Sequence, residues 1–291
     1  MHDRIRNPAT KQKGPLMKIV EANGARIPAI GFGTWTLRGT QARDLVANAI
    51  QVGYRHVDTA AMYENEEAVG EGLRASGVNR GEIFLTTKVW PDNLAAGALQ
   101  RAVEDSLSRL GVEQVDLVLI HWPSKTVPLA ESIEALNEVR ERGLVRHIGV
   151  SNFTTSLLAE AVALSSAPLV CNQIECHPFL NQDKVIAACA QHSMAVVSYC
   201  PLARGSELFA HEAVAACADG HGKTPAQIVL RWHVQQGLIA IPRSSNPDRA
   251  RENLDIFDFE LTTEEMAAIS GLRGRNLRIC DFDFSPEWDA A

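Results

Sequence analysis

Short apolar runs alternate with longer stretches of helical periodicity through most of this chain. The runs fall at 30–33, 55–58, 83–88, 115–120, 145–150, 169–173, 195–199 and 238–241. Their length and apolar character predict buried strands. Amphipathic segments between them predict helices beginning near Thr40, Glu66, Leu94, Leu129, Thr154, Gln182 and Ala226, with a last one after Leu261. Thr262-Thr-Glu-Glu265 has the form of an N-terminal capping box, and Glu141-Arg-Gly143 ends a helix on glycine. Upstream, 18–21 and 26–28 flank Asn23-Gly24, a dipeptide that favours tight two-residue turns, and predict a small hairpin serving as lid or plug. Strand and helix alternating eight times without a linker predict an α/β fold, a closed (β/α)8 TIM barrel with an N-terminal β-hairpin. One domain over 17–291 is expected, preceded by a polar arm at 1–16 that reads as disordered or extraneous. An open doubly wound sheet is the alternative, but Gly31-Phe-Gly33 and Gly70-Glu-Gly72 both lack the third glycine of a dinucleotide fingerprint.

Composition narrows the function. The chain has 291 residues, of which 46% are hydrophobic, with a net charge of -7. No dense basic patch lies beyond the first residues, so a nucleic-acid partner is not expected. Neither a run long enough to span a membrane nor a secretory h-region is evident, and the expected location is cytoplasmic. Six cysteines lie in apolar surroundings without a Cys-x-x-Cys pair, and predict buried thiols. Cys176-His177 lacks a complementing pair, so no metal is expected. Gly222-Lys-Thr224 ends like a phosphate-binding loop, but Cys217 stands where the first glycine is required. Asn152-Phe-Thr154 matches a glycosylation acceptor, which a chain without a secretory signal would not use.

The candidate chemistry gathers at strand ends. In Gly53-Tyr-Arg-His-Val-Asp-Thr-Ala-Ala-Met-Tyr63, Asp58 ends a strand and Tyr63 follows on the next loop. Lys88 and His121 end the next two strands, and in a barrel these ends adjoin. A phenol is a weak acid at neutral pH, so a catalytic Tyr63 needs a fixed cation beside it, and Lys88 needs a carboxylate such as Asp58 to be buried. Taken singly, Asp58 reads as a helix cap, Lys88 as a surface lysine and His121 as a structural histidine. Trp35, Trp90 and Trp122 lie just past strand ends, where their rings could wall an apolar substrate pocket.

Three long motifs carry a resemblance. They are Gly53-Tyr-Arg-His-Val-Asp-Thr-Ala60 with Glu66 and Gly70, Leu144-Val-Arg-His-Ile-Gly-Val-Ser-Asn-Phe153, and Ile241-Pro-Arg-Ser-Ser245 with Arg249, Glu252 and Asn253. With His121-Trp-Pro123, Asn172-Gln-Ile-Glu-Cys-His-Pro178 and Tyr199-Cys-Pro-Leu202, the chain resembles the aldo-keto reductase family from about residue 24 onward. Pro286-Glu-Trp288 and the compact loops are similar to bacterial members of the 2,5-diketo-gluconate reductase type. The resemblance implies an NADPH-dependent reduction of aldehydes and activated ketones, with 2,5-diketo-gluconate or methylglyoxal among the substrates. Tyr63 would then be the general acid, Lys88 held by Asp58 would stabilise its phenolate, and His121 would orient the carbonyl. Ser151, Asn152 and Gln173 would bind the nicotinamide carboxamide, and Tyr199 would stack on the ring beside Leu202. Arg243, Ser244 and Arg249 would surround the 2′-phosphate, with Asn253 at the adenine. Cys200 stands where many members have serine, and Arg243 where many have lysine. Two alternatives are a non-catalytic NADPH-binding regulatory or structural protein, and a lyase using Lys88 as a Schiff-base nucleophile. A monomer is expected.

Overall fold

The computed structural model describes residues 17–290, so the arm expected at 1–16 lies outside the described residues. Strands Ile19–Ala22 (β1) and Ala25–Pro28 (β2) pair antiparallel around Asn23 and Gly24, whose φ of 45° and 86° are the left-handed pair a two-residue turn demands. Eight strands then form one parallel sheet: Phe32–Gly33 (β3), His56–Asp58 (β4), Phe84–Val89 (β5), Val115–Ile120 (β6), Val145–Ser151 (β7), Leu169–Glu175 (β8), Ala195–Tyr199 (β9) and Ile239–Ala240 (β10). Bridges from Ile30 to Ala240 and from Gly33 to Arg243 join the first strand to the last, closing the barrel. At that seam a Cβ on Gly33 would lie 2.8 Å from the Ile241 carbonyl oxygen, so only glycine lets the two edges meet.

Helices wrap the outside, at Gly39–Val52 (α1), Glu66–Ala75 (α2), Ala98–Leu110 (α3), Leu129–Glu141 (α4), Thr155–Leu164 (α5), Asp183–Gln191 (α6), Ser206–Ala210 (α7), Glu212–His221 (α8), Pro225–Gln235 (α9), Pro247–Leu254 (α10) and Thr263–Gly271 (α11). The third starts later than expected. Pro91–Asn93 makes a separate 3-10 turn, and Gly97, at φ 75°, resets the chain before α3. Helices α7, α8 and α10 were not anticipated. The Gly222-Lys-Thr224 stretch has a structural role: Gly222 ends α8 in the left-handed conformation, and Thr224 caps α9 through Gln227 in a capping box. The capping box expected at Thr262 and the glycine end expected at Gly143 also form, with Thr262 accepting from the Glu265 N–H and Gly143 at φ 74°.

Side chains on a strand alternate between faces, and here one face meets helices while the other fills the barrel. Val118 and Ile120 pack outward against the helical layer with Leu99 and Val103, whereas Leu117 and Leu119 pack inward with Phe84, Val197 and Ile239. Ala22, Ala25 and Ile27 of the hairpin belong to this inner cluster. The hairpin is therefore a plug in the N-terminal end rather than a lid. Ile27 alone, with no exposed surface, contributes about 1.5–3 kcal/mol by leaving water.

Candidate active site

The same alternation sets the site. Phe84 and Thr86 share their face of β5 with Lys88, Leu117 and Leu119 share theirs with His121, and Ala195 and Val197 share theirs with Tyr199. Asp58, Ser151 and Gln173 likewise end or nearly end their strands, so the residues named from sequence converge at the C-terminal mouth.

At the centre is Lys88, with no exposed surface. Its Nζ donates to Asp58 Oδ1 at 2.5 Å, to the Thr59 carbonyl at 2.9 Å and to the Tyr63 hydroxyl oxygen at 3.2 Å. These three acceptors use all three ammonium protons, which is what makes burial of the charge tolerable. Gln173 Nε2 donates to the second carboxylate oxygen of Asp58 at 2.7 Å, fixing the carboxylate from behind. Burial pulls the Lys88 ammonium down, but Asp58 and Tyr63 outweigh it and leave Lys88 above its ordinary value. Lys88 thus stays protonated and lacks the lone pair a Schiff-base nucleophile needs, which argues against the lyase reading.

Tyr63 closes the 3-10 turn Ala61–Tyr63, half-buried, with its ring 4.9 Å from Trp35 and 5.6 Å from His121. Arg38 donates to its backbone carbonyl and pins the turn. Burial pushes the phenol up, Lys88 pulls it down, and burial wins, so Tyr63 is held above its ordinary value. The resemblance implied that Lys88 stabilises the phenolate left after proton transfer. The resting geometry keeps Tyr63 loaded with its proton, with Lys88 3.2 Å from its hydroxyl oxygen. His121 is driven well below its ordinary value by burial and by Lys88, and is a neutral imidazole at physiological pH. Its Nδ1 is buried without a partner among the described residues.

On the far side of the mouth, Ser151, Asn152, Gln173 and Tyr199 form one network. Ser151 Oγ donates to the Gln173 carbonyl at 2.8 Å, and Asn152 Nδ2 donates to Ser151 Oγ at 3.1 Å and to the His121 carbonyl at 2.9 Å. Tyr199 donates its phenol to Asn152 Oδ1 at 2.7 Å, which fixes the plane of its ring. Asn152 adopts φ 64°, a conformation asparagine tolerates better than most residues. Gln173 spends one N–H on Asp58, and among the described residues its oxygen has no hydrogen bond, leaving it free to accept from an amide.

The groups expected at a 2′-phosphate are less assembled. Arg243 is exposed and reaches back to Thr36 Oγ1 at 2.7 Å, and Ser244 is bonded within its own turn to the carbonyl and N–H of Asn246. That turn opens α10, where Asn246 caps the N–H groups of Asp248 and Arg249. The helix start puts partial positive charge beside two guanidinium groups, a donor set that fits a phosphate. Asn253 is buried on α10, and half-buried Leu202 lies in the turn after β9.

Of the tryptophans, Trp122 is buried, Trp90 lies 5.2 Å from His121, and Trp35 stays 46% exposed. Sequence reasoning missed what completes this wall. Phe284 stacks edge-on to Trp90 at 5.3 Å and to Trp122 at 5.2 Å, and Phe282 and Trp288 also meet Trp122. These come from the C-terminal strap at 276–290, tied down by buried Glu175, which accepts the N–H groups of Ile279 and Cys280 at 2.7 Å each. His177 Nε2 lies 2.9 Å from the same carboxylate. Burial raises the Glu175 carboxyl, but these partners overcome it and hold it below its ordinary value. Arg278 lies over the Trp288 ring at 3.7 Å and has a buried Nη1 without a partner among the described residues. A concavity of about 670 Å³ lies at the opposite end beside the hairpin turn, lined by residues such as Asn23, Met194 and Leu238. It holds none of the groups named above, so the chemistry belongs to the mouth.

Residues 29–273 match the Aldo/keto reductase family. An aldo-keto reductase of Mycolicibacterium vanbaalenii is 46% identical over 247 residues, covering 84% of this chain and 88% of that protein. A methylglyoxal reductase of Yersinia pestis is 43% identical over 260 residues, covering 89% and 92%. Among solved structures, a protein assigned as 2,5-diketo-D-gluconic acid reductase B superposes with a TM-score of 0.90 at 46% identity, covering 94% of this chain and 98% of that one. A Bombyx mori aldo-keto reductase in complex with NADP gives 0.85 at 36% identity, covering 91% and 95%. The chain belongs to the aldo/keto reductase family and is an oxidoreductase.

Proposed function

We propose, with that membership as premise, that this protein reduces aldehydes and activated ketones to alcohols using NADPH, with Tyr63 as general acid. The observation that carries it is the buried Lys88, bonded at once to Asp58, the Thr59 carbonyl and the Tyr63 hydroxyl. The cofactor, when bound, supplies the hydride that the carbonyl carbon accepts. Ser151, Asn152 and Gln173 would hold its carboxamide, Tyr199 with Leu202 would cover its nicotinamide ring, and Arg243, Ser244, Arg249 and Asn253 would receive its adenosine end.

The remaining work falls to four side chains. His121, neutral, and Tyr63 donate hydrogen bonds to the carbonyl oxygen and fix its position. As negative charge grows there, that oxygen becomes far more basic than a phenolate, and the Tyr63 proton moves to it even though the resting phenol is a poor acid. Lys88, at 3.2 Å, stabilises the phenolate left behind, and Asp58 keeps Lys88 charged and aimed. Aromatic walls from Trp35, Trp90, Trp122 and Phe284 exclude water from the oxygen being protonated.

For the substrate we favour carbonyl compounds bearing an anionic group, of the 2,5-diketo-gluconate kind, over neutral methylglyoxal. The unpartnered Nη1 of Arg278 supports this, because a buried N–H without an acceptor is costly until an anion arrives. NADPH oxidation would be measured with methylglyoxal, an aromatic aldehyde and a diketo sugar acid, on wild type and Tyr63→Phe. Turnover that disappears in the variant while NADPH still binds is the expected result. A wild type that binds NADPH and reduces nothing would instead favour the regulatory reading.

A further inference from the structure

An asparagine just before a helix ordinarily caps it with its side chain. Asn65 stands in that position before α2, yet it gives the helix only its backbone carbonyl, which accepts from the Val69 N–H at 2.9 Å, and its side chain makes no cap. The amide is spent elsewhere. Buried to 3% exposure, Asn65 accepts at Oδ1 from the Thr59 hydroxyl at 2.9 Å and donates from Nδ2 to the carbonyls of Thr34 at 2.9 Å and Leu37 at 3.0 Å. Both amide protons are committed, and the two ends of the amide serve different segments of the mouth.

The two carbonyls belong to one turn. The Leu37 N–H donates to the Thr34 carbonyl at 3.1 Å, and of the two residues between them Thr36 has φ 69° while Trp35 has a negative φ. A positive φ at the third position alone marks a type II turn, which calls for glycine or asparagine there. Threonine is β-branched, and a branched side chain in the left-handed region is strained. Such a turn persists only where its surroundings impose it. Its first residue is anchored, since the Thr34 N–H and hydroxyl both donate to the Asp58 carbonyl at 3.0 Å. Its tip is touched by Arg243, whose Nη2 donates to Thr36 Oγ1 at 2.7 Å, but both side chains are exposed and water competes for that bond. The tie shielded from water is Asn65.

Both ends of that tie lead to Tyr63. The turn carries Trp35, whose ring lies 4.9 Å from that of Tyr63. At the other end the Thr59 carbonyl accepts from Lys88 Nζ, which also donates to the Tyr63 hydroxyl. We propose that Asn65 is a positioning residue that sets substrate selectivity, clamping the strained turn at 34–37 and thereby holding Trp35 over Tyr63. The effect on selectivity rests on the proposed function. With the clamp in place, Trp35 offers a fixed apolar face to the ring of an aromatic aldehyde. Without it, Thr36 relaxes toward negative φ and carries Trp35 away. Methylglyoxal has no ring for Trp35 to cover and depends on the clamp less.

The test compares kcat/KM for 4-nitrobenzaldehyde with kcat/KM for methylglyoxal on the full chain. Their ratio does not depend on how much of the enzyme is folded, so a loss of stability alone leaves it unchanged. In Asn65→Ala the ratio should fall on the order of tenfold. Adding Thr36→Asn, which tolerates the positive φ and keeps an acceptor for Arg243, should restore most of it. Thr59→Val removes only the hydroxyl that donates to Asn65, and should give a smaller fall, restored in the same way, even if Asn65→Ala does not fold. A second readout needs no turnover. Acrylamide quenching of Trp35, taken as the difference from Trp35→Phe in each background, should rise in the Asn65 and Thr59 variants and return with Thr36→Asn. Unchanged quenching would overturn the clamp, and a rise that Thr36→Asn leaves in place would overturn the role of the strained turn. Raised quenching with an unchanged ratio would overturn the effect on selectivity. Because quenching is read without substrate, the clamp is decided even if the protein reduces no carbonyl, and the two readings fail separately.

Discussion

The mouth of this barrel is built from two regions made on opposite plans. The corner of Asp58, Lys88 and Tyr63 comes from strand ends and the turn that follows one of them, with each polar atom committed to a neighbour. The wall opposite comes from a strap without helix or strand from 276 to 290, held by a few long-range bonds such as Lys125 Nζ to the Asp283 carbonyl at 2.6 Å and Thr155 Oγ1 to Asp289 at 2.6 Å. A pleated strand fixes its side chains with the whole sheet behind them, whereas a strap is only as firm as its own ties. On the proposed function, the chemistry falls on the stiff part and the choice of substrate on the adjustable one.

Substitutions in the two regions should then fail differently. Tyr63→Phe tests the corner most directly, and should lower kcat by about 10²–10⁴-fold, the range for losing a positioned acid, with NADPH affinity nearly unchanged by fluorescence titration. Lys88→Met leaves Asp58 buried without its cation, and urea unfolding should register a loss of about 3–5 kcal/mol together with loss of turnover. If that variant unfolded like wild type, the corner would not be the rigid element it is taken for.

Acid should act first on the strap. The folded Glu175 carboxyl lies below its ordinary value, so its grip on Ile279 and Cys280 is fully present above the ordinary glutamate range and is lost as pH falls through the lower folded value. Tryptophan emission from Trp288 and Trp122 should change over that acid window, and Glu175→Gln should show the loosened state already at neutral pH. Phe284→Ala should raise KM for aromatic aldehydes on the order of tenfold, about 1.4 kcal/mol, while leaving kcat close to wild type. The smallest effect expected is that of Arg278→Leu, a few-fold rise in KM for the diketo sugar acid and none for methylglyoxal. Equal effects on both substrates would remove the preference for anions.

The same contrast explains what could be read from the amino-acid order. Asp58, Lys88 and His121 were visible because each ends a short apolar run, and a strand end in a closed barrel has one destination. The eight strands were legible for the same reason, and so was the hairpin, from Asn23-Gly24. Phe282 and Phe284 were not, since a strap has no period to betray which side chains face inward. Glu175 lay within a recognised segment, but its partners Ile279 and Cys280 are over a hundred positions away, a pairing local pattern cannot indicate. Helix α10 was missed because half of its eight residues are charged and it buries only Ala250 and Asn253, too little apolar signal to register. That burial holds the resting Tyr63 phenol above its ordinary value, against the pull of Lys88, could not be read either, because a sequence shows a lysine well and burial poorly.

The hairpin plug has a kinetic consequence. With Ala22, Ala25 and Ile27 packed among the side chains that fill the barrel, its N-terminal end is closed and the C-terminal mouth is left for ligands. On the proposed function, cofactor and substrate share the C-terminal mouth, so the one seated deeper enters first and leaves last. Turnover would then follow a compulsory order, which product-inhibition patterns would reveal as competition between the two forms of the deeper molecule alone.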